Sequence, residues 1–363
     1  MKVINVVGTR PNFMKIAPII REMNRFPQLE QLLVHTGQHY DHQLSHSFFE
    51  ELQIPEPDIN LNIGSDTHAK QVARIMSAFE DVCDDFQPDV ILVVGDVNST
   101  MACTLVAVKK GIKVIHVEAG IRSGDLSMPE EINRLVTDSI AQYLMPPSRD
   151  AVDNLLKEGR TPEQILMVGN VMIDTLLHSQ MEIDRSDIVQ KLELSTGNYV
   201  TLTLHRPSNV DHEDKFRSIL DALKEIQKEI PVVFPIHPRT KKMLEQFGLD
   251  KELEQMPNLH LTNPLGYFDF GRLVRDSRFV LTDSGGIQEE TTYYGIPCIT
   301  LRENTERPVT ITEGTNELVG ADRDKILEHF RTIMSGNWKR GGIPELWDGQ
   351  SAQRIVDFIL KLN

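Results

Sequence analysis

Apolar residues come in short runs of strand length through the first half of the chain, at 3–7, 32–36, 90–94, 113–117 and 143–145. Longer stretches with helical spacing separate them, among them 15–24 and 69–86. Regular alternation of strand and helix predicts a parallel sheet covered on both faces, because a parallel pair needs a crossover long enough to hold a helix. The pattern restarts after a junction near 168–172, with strand runs at 199–204, 232–235, 259–262, 279–282 and 298–301. In the tail, 351–362, Ile355, Ile359 and Leu362 share a helical face with Val356 beside them, as a closing helix would. The reading is an α/β chain of two Rossmann-like doubly wound domains, 1–170 and 171–345, followed by a C-terminal helical segment, 346–363.

The length supports two domains, since 363 residues exceed the roughly 250–300 at which single cores stop growing. A net charge of -15 argues against nucleic acid or an anionic membrane as partner, since both are held by Lys and Arg neutralising phosphates. Any phosphate site must then be a local basic cluster. No run approaches the ~20 apolar residues of a membrane span, and the opening MKVINVV lacks the features of a signal peptide. Cys83, Cys103 and Cys298 share no CxxC spacing, so neither disulfides nor zinc are expected and a reducing cytoplasm fits.

Ligands of open α/β sheets bind at the carboxyl ends of strands, so polar residues just after the strand runs carry the most weight. The first run exits into GTRPNFMK, where Arg10 and Lys15 flank a helix start whose free amides suit a diphosphate. The next exits are VVGDVNST, with Asp96, and HVEAGIRS, with His116, Glu118 and Arg122. Carboxylates on neighbouring strand ends face one crevice, although Asp96 alone could cap the next helix and Glu118 alone could pair with Arg122. MPEEINR, with Glu130, Glu131 and Arg134, opens a helix after Pro129 and in isolation reads as capping. In LTDSGGIQEE, Ser284, Gly285 and Gly286 can present amides and a hydroxyl to phosphate oxygens, and Glu290 can accept from ribose hydroxyls. His205, Arg206, His237, Arg302 and Arg307 add cations and titratable groups at three further strand ends. His39, His42 and His46 hint at a metal, but no HExxH or Cys partner accompanies them and no metal is expected.

In this order, GTRPxxxK, TGQH, GD, HVEAGxRS, PEExNR, a THR-like motif, PxHP, SGGxQEE and TERP resemble the non-hydrolysing UDP-N-acetylglucosamine 2-epimerase family, from Gly8 to about Gly320. The resemblance implies a glycosyltransferase-B-like fold with the active site in the interdomain cleft, and a C-terminal helix crossing back to the first domain. It also implies a homodimer, a small-molecule UDP-sugar as partner and no cofactor. Ser284, Gly285 and Gly286 would hold phosphate, Glu290 the ribose, Phe270 would lie near the uracil and Arg307 would complete the nucleotide site. Arg10 and Lys15 would close over nucleotide and sugar, with His205 reaching the diphosphate; Asp96, Glu118 and Glu131 match the family's acid/base carboxylates.

The implied reaction inverts C2 of the sugar, whose hydrogen no carbonyl acidifies. UDP leaves C1 as the C2 proton is taken, giving 2-acetamidoglucal. One group must take a proton and a differently placed one return it, while cations hold the leaving diphosphate. Two departures matter. His205-Arg206 continues with Pro207, Ser208 and Asn209 instead of Glu-Asn, removing a carboxylate near the diphosphate. At a second, activating UDP-sugar site of many bacterial members, Gln38, His39 and Gln71 are kept and His237 is a further candidate. There Lys70 replaces an Arg and cannot supply its bidentate fork, so weak or absent activation is expected. Alternatives sharing the motifs are epimerisation of another UDP-N-acetyl sugar such as UDP-2,3-diacetamido-glucuronate, and a hydrolysing epimerase. A glycosyltransferase or a noncatalytic UDP-sugar sensor would have little use for three carboxylates.

Overall fold

Each half of the chain builds its own six-stranded sheet in this computed structural model, which describes residues 1–38, 51–52 and 54–362. The first sheet consists of β1 (Lys2–Val7), β2 (Glu30–His35), β3 (Ile59–Asn60), β4 (Val90–Val94), β5 (Lys113–Val117) and β6 (Tyr143–Met145). The second consists of β7 (Val200–Thr203), β8 (Val232–Pro235), β9 (Leu259–Thr262), β10 (Phe279–Thr282), β11 (Cys298–Thr300) and β12 (Asn316–Leu318). Spatial orders are β3-β2-β1-β4-β5-β6 and, read from its other edge, β9-β8-β7-β10-β11-β12, with every pairing of these strands parallel. Both are the doubly wound 3-2-1-4-5-6 arrangement, so the α/β class with two Rossmann-like domains is the one observed.

The central strands explain the apolar runs. β4 is Val-Ile-Leu-Val-Val with all five residues buried, as a strand covered on both faces must be. The edge strands β3 and β12 were not anticipated: two residues, and Asn-Glu-Leu, hold no apolar run to signal them.

The chain divides into unit 1, Met1–His178 together with the chain from Glu345 on, and unit 2, Ser179–Pro344. The helix Val171–His178, placed by the sequence reading in the second domain, thus belongs to unit 1. Pro18 lies inside the helix Arg10–Met23 and has no N–H to give the Met14 carbonyl. Thr175 Oγ1 donates to that carbonyl instead (2.6 Å), fastening the second helix to the first at the point of the lost bond. The closing helix Ser351–Ile359 also belongs to unit 1, where Asp174 accepts from the amides of Ser351 (3.2 Å) and Ala352 (2.7 Å) at its start. Trp347, just before it, donates from Nε1 to the Pro147 carbonyl (3.0 Å). No helix among the described residues is long and apolar enough to cross a membrane.

Candidate active site

In each sheet the strand order reverses between two neighbours, β1 and β4 in unit 1, β7 and β10 in unit 2. Their exit loops flank the crevice in which doubly wound folds bind ligands. The candidate residues of each unit gather at these exits and the next one out.

In unit 1, Asn12 ties the exit of β1 to that of β4. Its Oδ1 accepts from the amides of Gly8 (3.1 Å) and Thr9 (3.0 Å), while Nδ2 donates to the Val94 carbonyl (3.0 Å). Lys15, one turn further along the helix, is buried and donates to Glu118 at the exit of β5. Gly95 sits against that pair at φ +69°, and a Cβ there would lie 3.0 Å from Lys15 Nζ and 3.2 Å from Asn12 Nδ2. Only glycine combines this backbone with this clearance. Glu118 itself has φ +70°, a left-handed conformation costly for a side chain with a Cβ and typical of functional turns.

Asp96 and Glu131 meet on one guanidinium. Arg134 Nη2 donates to Asp96 Oδ2 (2.5 Å) and Nη1 to Glu131 Oε2 (2.6 Å). The Asp96 side chain is 23% exposed, whereas Glu131 and Arg134 are buried. Glu131 also accepts from the amides of Ser123 (3.0 Å) and Gly124 (2.9 Å). Burial pushes its pKa up, but those amides and Arg134 outweigh burial and hold the carboxyl below the usual glutamate range. Both oxygens of Glu131, expected as an acid/base group alongside Asp96 and Glu118, thus accept hydrogen bonds within unit 1.

Asp96 does not cap the following helix, Asn98–Lys109, which starts without a side-chain cap, whereas Glu130 and Glu131 do lie in the first turn of Pro129–Ile140, where the helix dipole favours them. Arg122 turns to Asp138 (2.7 Å) and Glu158 (2.7 Å) rather than to Glu118. His116 is fully buried, with Nδ1 2.6 Å from Asp138 Oδ1 and Nε2 donating to the Gly95 carbonyl (2.8 Å), which buttresses the turn before Asp96 from below.

Gln38 and Gln71 both make buried hydrogen bonds within unit 1. Gln38 Oε1 accepts from Ser99 N (3.1 Å) and Oγ (2.8 Å), and Gln71 bridges the Gly64 carbonyl (2.8 Å) and Asn98 Nδ2 (2.8 Å). Lys70 is exposed. His39, His42, His46 and the Arg10 side chain lie outside the described residues, among which there is no cluster of three or more His, Cys, Asp or Glu able to hold a metal.

In unit 2 the helix Gly285–Tyr294 starts at the exit of β10 with Ser284 as its N-cap residue. A Cβ on Gly285 would lie 2.9 Å from Arg307 Nη1, so the guanidinium rests against the backbone of the first helical turn, while Gly286 faces open space. Arg307 Nε donates to Glu289 Oε1 (2.7 Å), and Arg302 forks onto Glu306 (2.9 and 3.0 Å). Arg206 has its pKa lowered, first by burial and then by the nearness of Arg302. Arg206, Arg302 and Arg307 thus lie within electrostatic reach of one another, Arg302 and Arg307 each paired to a carboxylate and Arg307 resting against the first turn of the helix.

His205 is partly exposed, and its Nδ1 faces the buried Asp283 (3.1 Å). Burial would raise the Asp283 pKa, but the hydrogen bond and charge of His205 and the amides of His205 and Arg206 outweigh it and lower it. Asn209, in the departing Pro207-Ser208-Asn209 segment, donates to the Leu301 carbonyl (2.8 Å). His237 lies beside His205, ring centroids 5.6 Å apart, and caps its helix by accepting from the Arg239 amide (3.2 Å). Phe270 packs against Val274, Val280 and Ile287.

Glu290 is buried, and its Oε2 has no hydrogen-bond partner. Burial, with the neighbouring charge of Glu289, pushes its pKa from 4.5 up to about 8. The folded state then holds a proton that an unfolded glutamate has lost, so stability should fall as pH rises from about 5 to about 8. Glu290→Gln removes this titration. It should flatten the fall in melting temperature across that range and be the more stable form at about pH 8; a pH profile identical to the parent's would refute the assignment.

A family profile described as UDP-N-acetylglucosamine 2-epimerase matches residues 21–360. The chain belongs to that family. It is 40% identical to the UDP-2,3-diacetamido-2,3-dideoxy-D-glucuronate 2-epimerase of Pseudomonas aeruginosa over the full length of both chains. Among solved structures it is similar to UDP-GlcNAc 2-epimerase of Methanocaldococcus jannaschii in complex with UDP-GlcNAc and UDP, with 40% identity, a TM-score of 0.89 and 99% of each chain covered. The enzyme of Neisseria meningitidis bound to UDP-GlcNAc matches with 31% identity, a TM-score of 0.88 and coverage of 99% of this chain and 100% of that one. Sequence reasoning named Arg134 but not its pairing with two carboxylates, and it missed Asn12 between two strand exits, the approach of Asp283 to His205 and Gln288 behind the glycine turn.

Proposed function

We propose that this protein reversibly epimerises C2 of UDP-N-acetylglucosamine to give UDP-N-acetylmannosamine. The observation that carries the reading is the unequal setting of two carboxylates at adjacent strand exits. Glu118 is buried on Lys15, and Asp96 is partly open on Arg134. A pair in different environments suits a reaction in which one group takes a proton and another returns one.

In the proposed sequence a carboxylate removes the C2 proton as the bond from C1 to the diphosphate oxygen breaks, leaving a C1–C2 double bond in 2-acetamidoglucal. The diphosphate oxygen then re-adds to C1 as the other group protonates C2 from the opposite face. Asp96 and Glu118 carry these protons, and Glu131 holds Arg134 against Asp96. The nucleotide belongs to unit 2, with phosphates on Ser284, Gly285, Gly286, Arg307 and His205, ribose hydroxyls toward the unpartnered oxygen of Glu290, and uracil near Phe270. Arg10 and Lys15 are the cations proposed for unit 1. Cations and amides fixed in advance around the diphosphate stabilise it as it leaves.

The Pseudomonas relative favours a second substrate, a UDP-diacetamido-glucuronate, since identity to it is as high as to the archaeal enzyme. Incubation with UDP-N-acetylglucosamine in deuterated water, followed by proton NMR, separates the readings. The expected product is the manno epimer with deuterium at C2 and UDP still attached. Free N-acetylmannosamine would indicate hydrolysis, and absence of exchange at C2 would refute this substrate in favour of the uronate.

A further inference from the structure

Ser284, Gly285 and Gly286 begin one helix, whereas Arg307 arrives on the loop that follows β11. The Arg307 side chain is held to this helix by Glu289, and its backbone is held by a chain of bonds through Gln288, which is fully buried in the same helix. Gln288 Nε2 donates to the Ser284 carbonyl (3.2 Å), and Oε1 accepts from Thr305 Oγ1 (2.7 Å) and Asn316 Nδ2 (3.2 Å). Thr305 Oγ1 accepts in turn from the backbone amide of Arg307 (3.1 Å). An amide N–H can only donate, so the Thr305 hydroxyl hydrogen is committed to Gln288 and the chain has one direction. Its far end is the Arg307 guanidinium, lying against Gly285.

We infer that Gln288 and Thr305 are positioning residues that set Arg307 against the Ser284–Gly286 turn and thereby set affinity for a nucleoside diphosphate. The inference rests on the nucleotide reading of this turn. A buried amide bonded on both sides touches no ligand itself; its effect passes through the loop that carries Arg307. Its two acceptor bonds make the relay testable without emptying the core. When Thr305 loses its hydroxyl, Asn316 still donates to Gln288, so no buried group of Gln288 is orphaned, while the Arg307 amide loses its acceptor.

Thr305→Val keeps the shape and removes the hydroxyl; Thr305→Ser keeps the hydroxyl. Calorimetric titration of each full-length variant with UDP should give about 5- to 10-fold weaker binding for the valine form, the scale of one lost hydrogen bond. The serine form should bind within about twofold of the parent, and both should melt near the parent temperature. Parent-like affinity in Thr305→Val would overturn the relay, as would a serine form as weak as the valine form. Failure of the parent itself to bind UDP would overturn the nucleotide reading and this inference with it, whereas a parent that binds beside an unaffected valine variant sinks the relay alone.

Discussion

Asp96→Asn should leave the affinity for UDP within about twofold of the parent and lower the rate of epimerisation by at least ~100-fold, the scale on which a positioned acid or base acts. The substitution keeps size and shape, and the amide oxygen can still accept from Arg134 Nη2, which now reaches the carboxylate at 2.5 Å. What the amide cannot do is hold and release a proton. Asp96 is partly open, whereas Glu131 is enclosed and accepts from two backbone amides as well as Arg134. UDP titration and C2 exchange in deuterated water separate the two effects. Turnover close to the parent's would remove Asp96 from the chemistry. A loss of UDP binding as large as the loss of rate would instead make it a structural or nucleotide-holding group.

The candidate residues at the strand exits were legible because a buried parallel strand announces itself as an apolar run and whatever follows it is set at the carboxyl edge of the sheet. β4, β5 and β10 begin and end where the runs do, so Asp96, Glu118 and Ser284 were placed by counting. Long-range partners were not legible. Lys15 meets Glu118 from 103 residues away, and no spacing rule connects them. Glu131 and Arg134 are three apart, a spacing that does predict a meeting on a helix, but the amides of Ser123 and Gly124 that occupy the same carboxylate come from an irregular loop. The domain boundary was missed for a related reason. Val171–His178 is apolar enough to serve either sheet, and the contacts that hold it in unit 1, Thr175 on the carbonyl of Met14 and Asp174 on the amides of Ser351 and Ala352, are long-range.

Lys15→Met should destabilise unit 1 by about 3–5 kcal/mol, the cost of removing one partner from a buried ion pair. Lys15 and Glu118 are both buried, and methionine fills most of the lysine stem's volume, so the loss is chiefly that of a counter-charge. The double substitution Lys15→Met/Glu118→Gln should recover much of the deficit, because it also removes the buried charge whose lysine partner the single variant takes away. A chain of two units need not unfold in one step, so the measurement must see unit 1 alone. Of its two tryptophans, Trp347 is buried in unit 1 and Trp338 lies in unit 2. In a Trp338→Phe background, urea unfolding followed by the fluorescence of Trp347 therefore reports unit 1. A midpoint unchanged by Lys15→Met would mean that the pair contributes nothing to folding. A double variant as unstable as the single one would mean that the stem of Lys15, and not its charge, holds the turn at Gly95 in place.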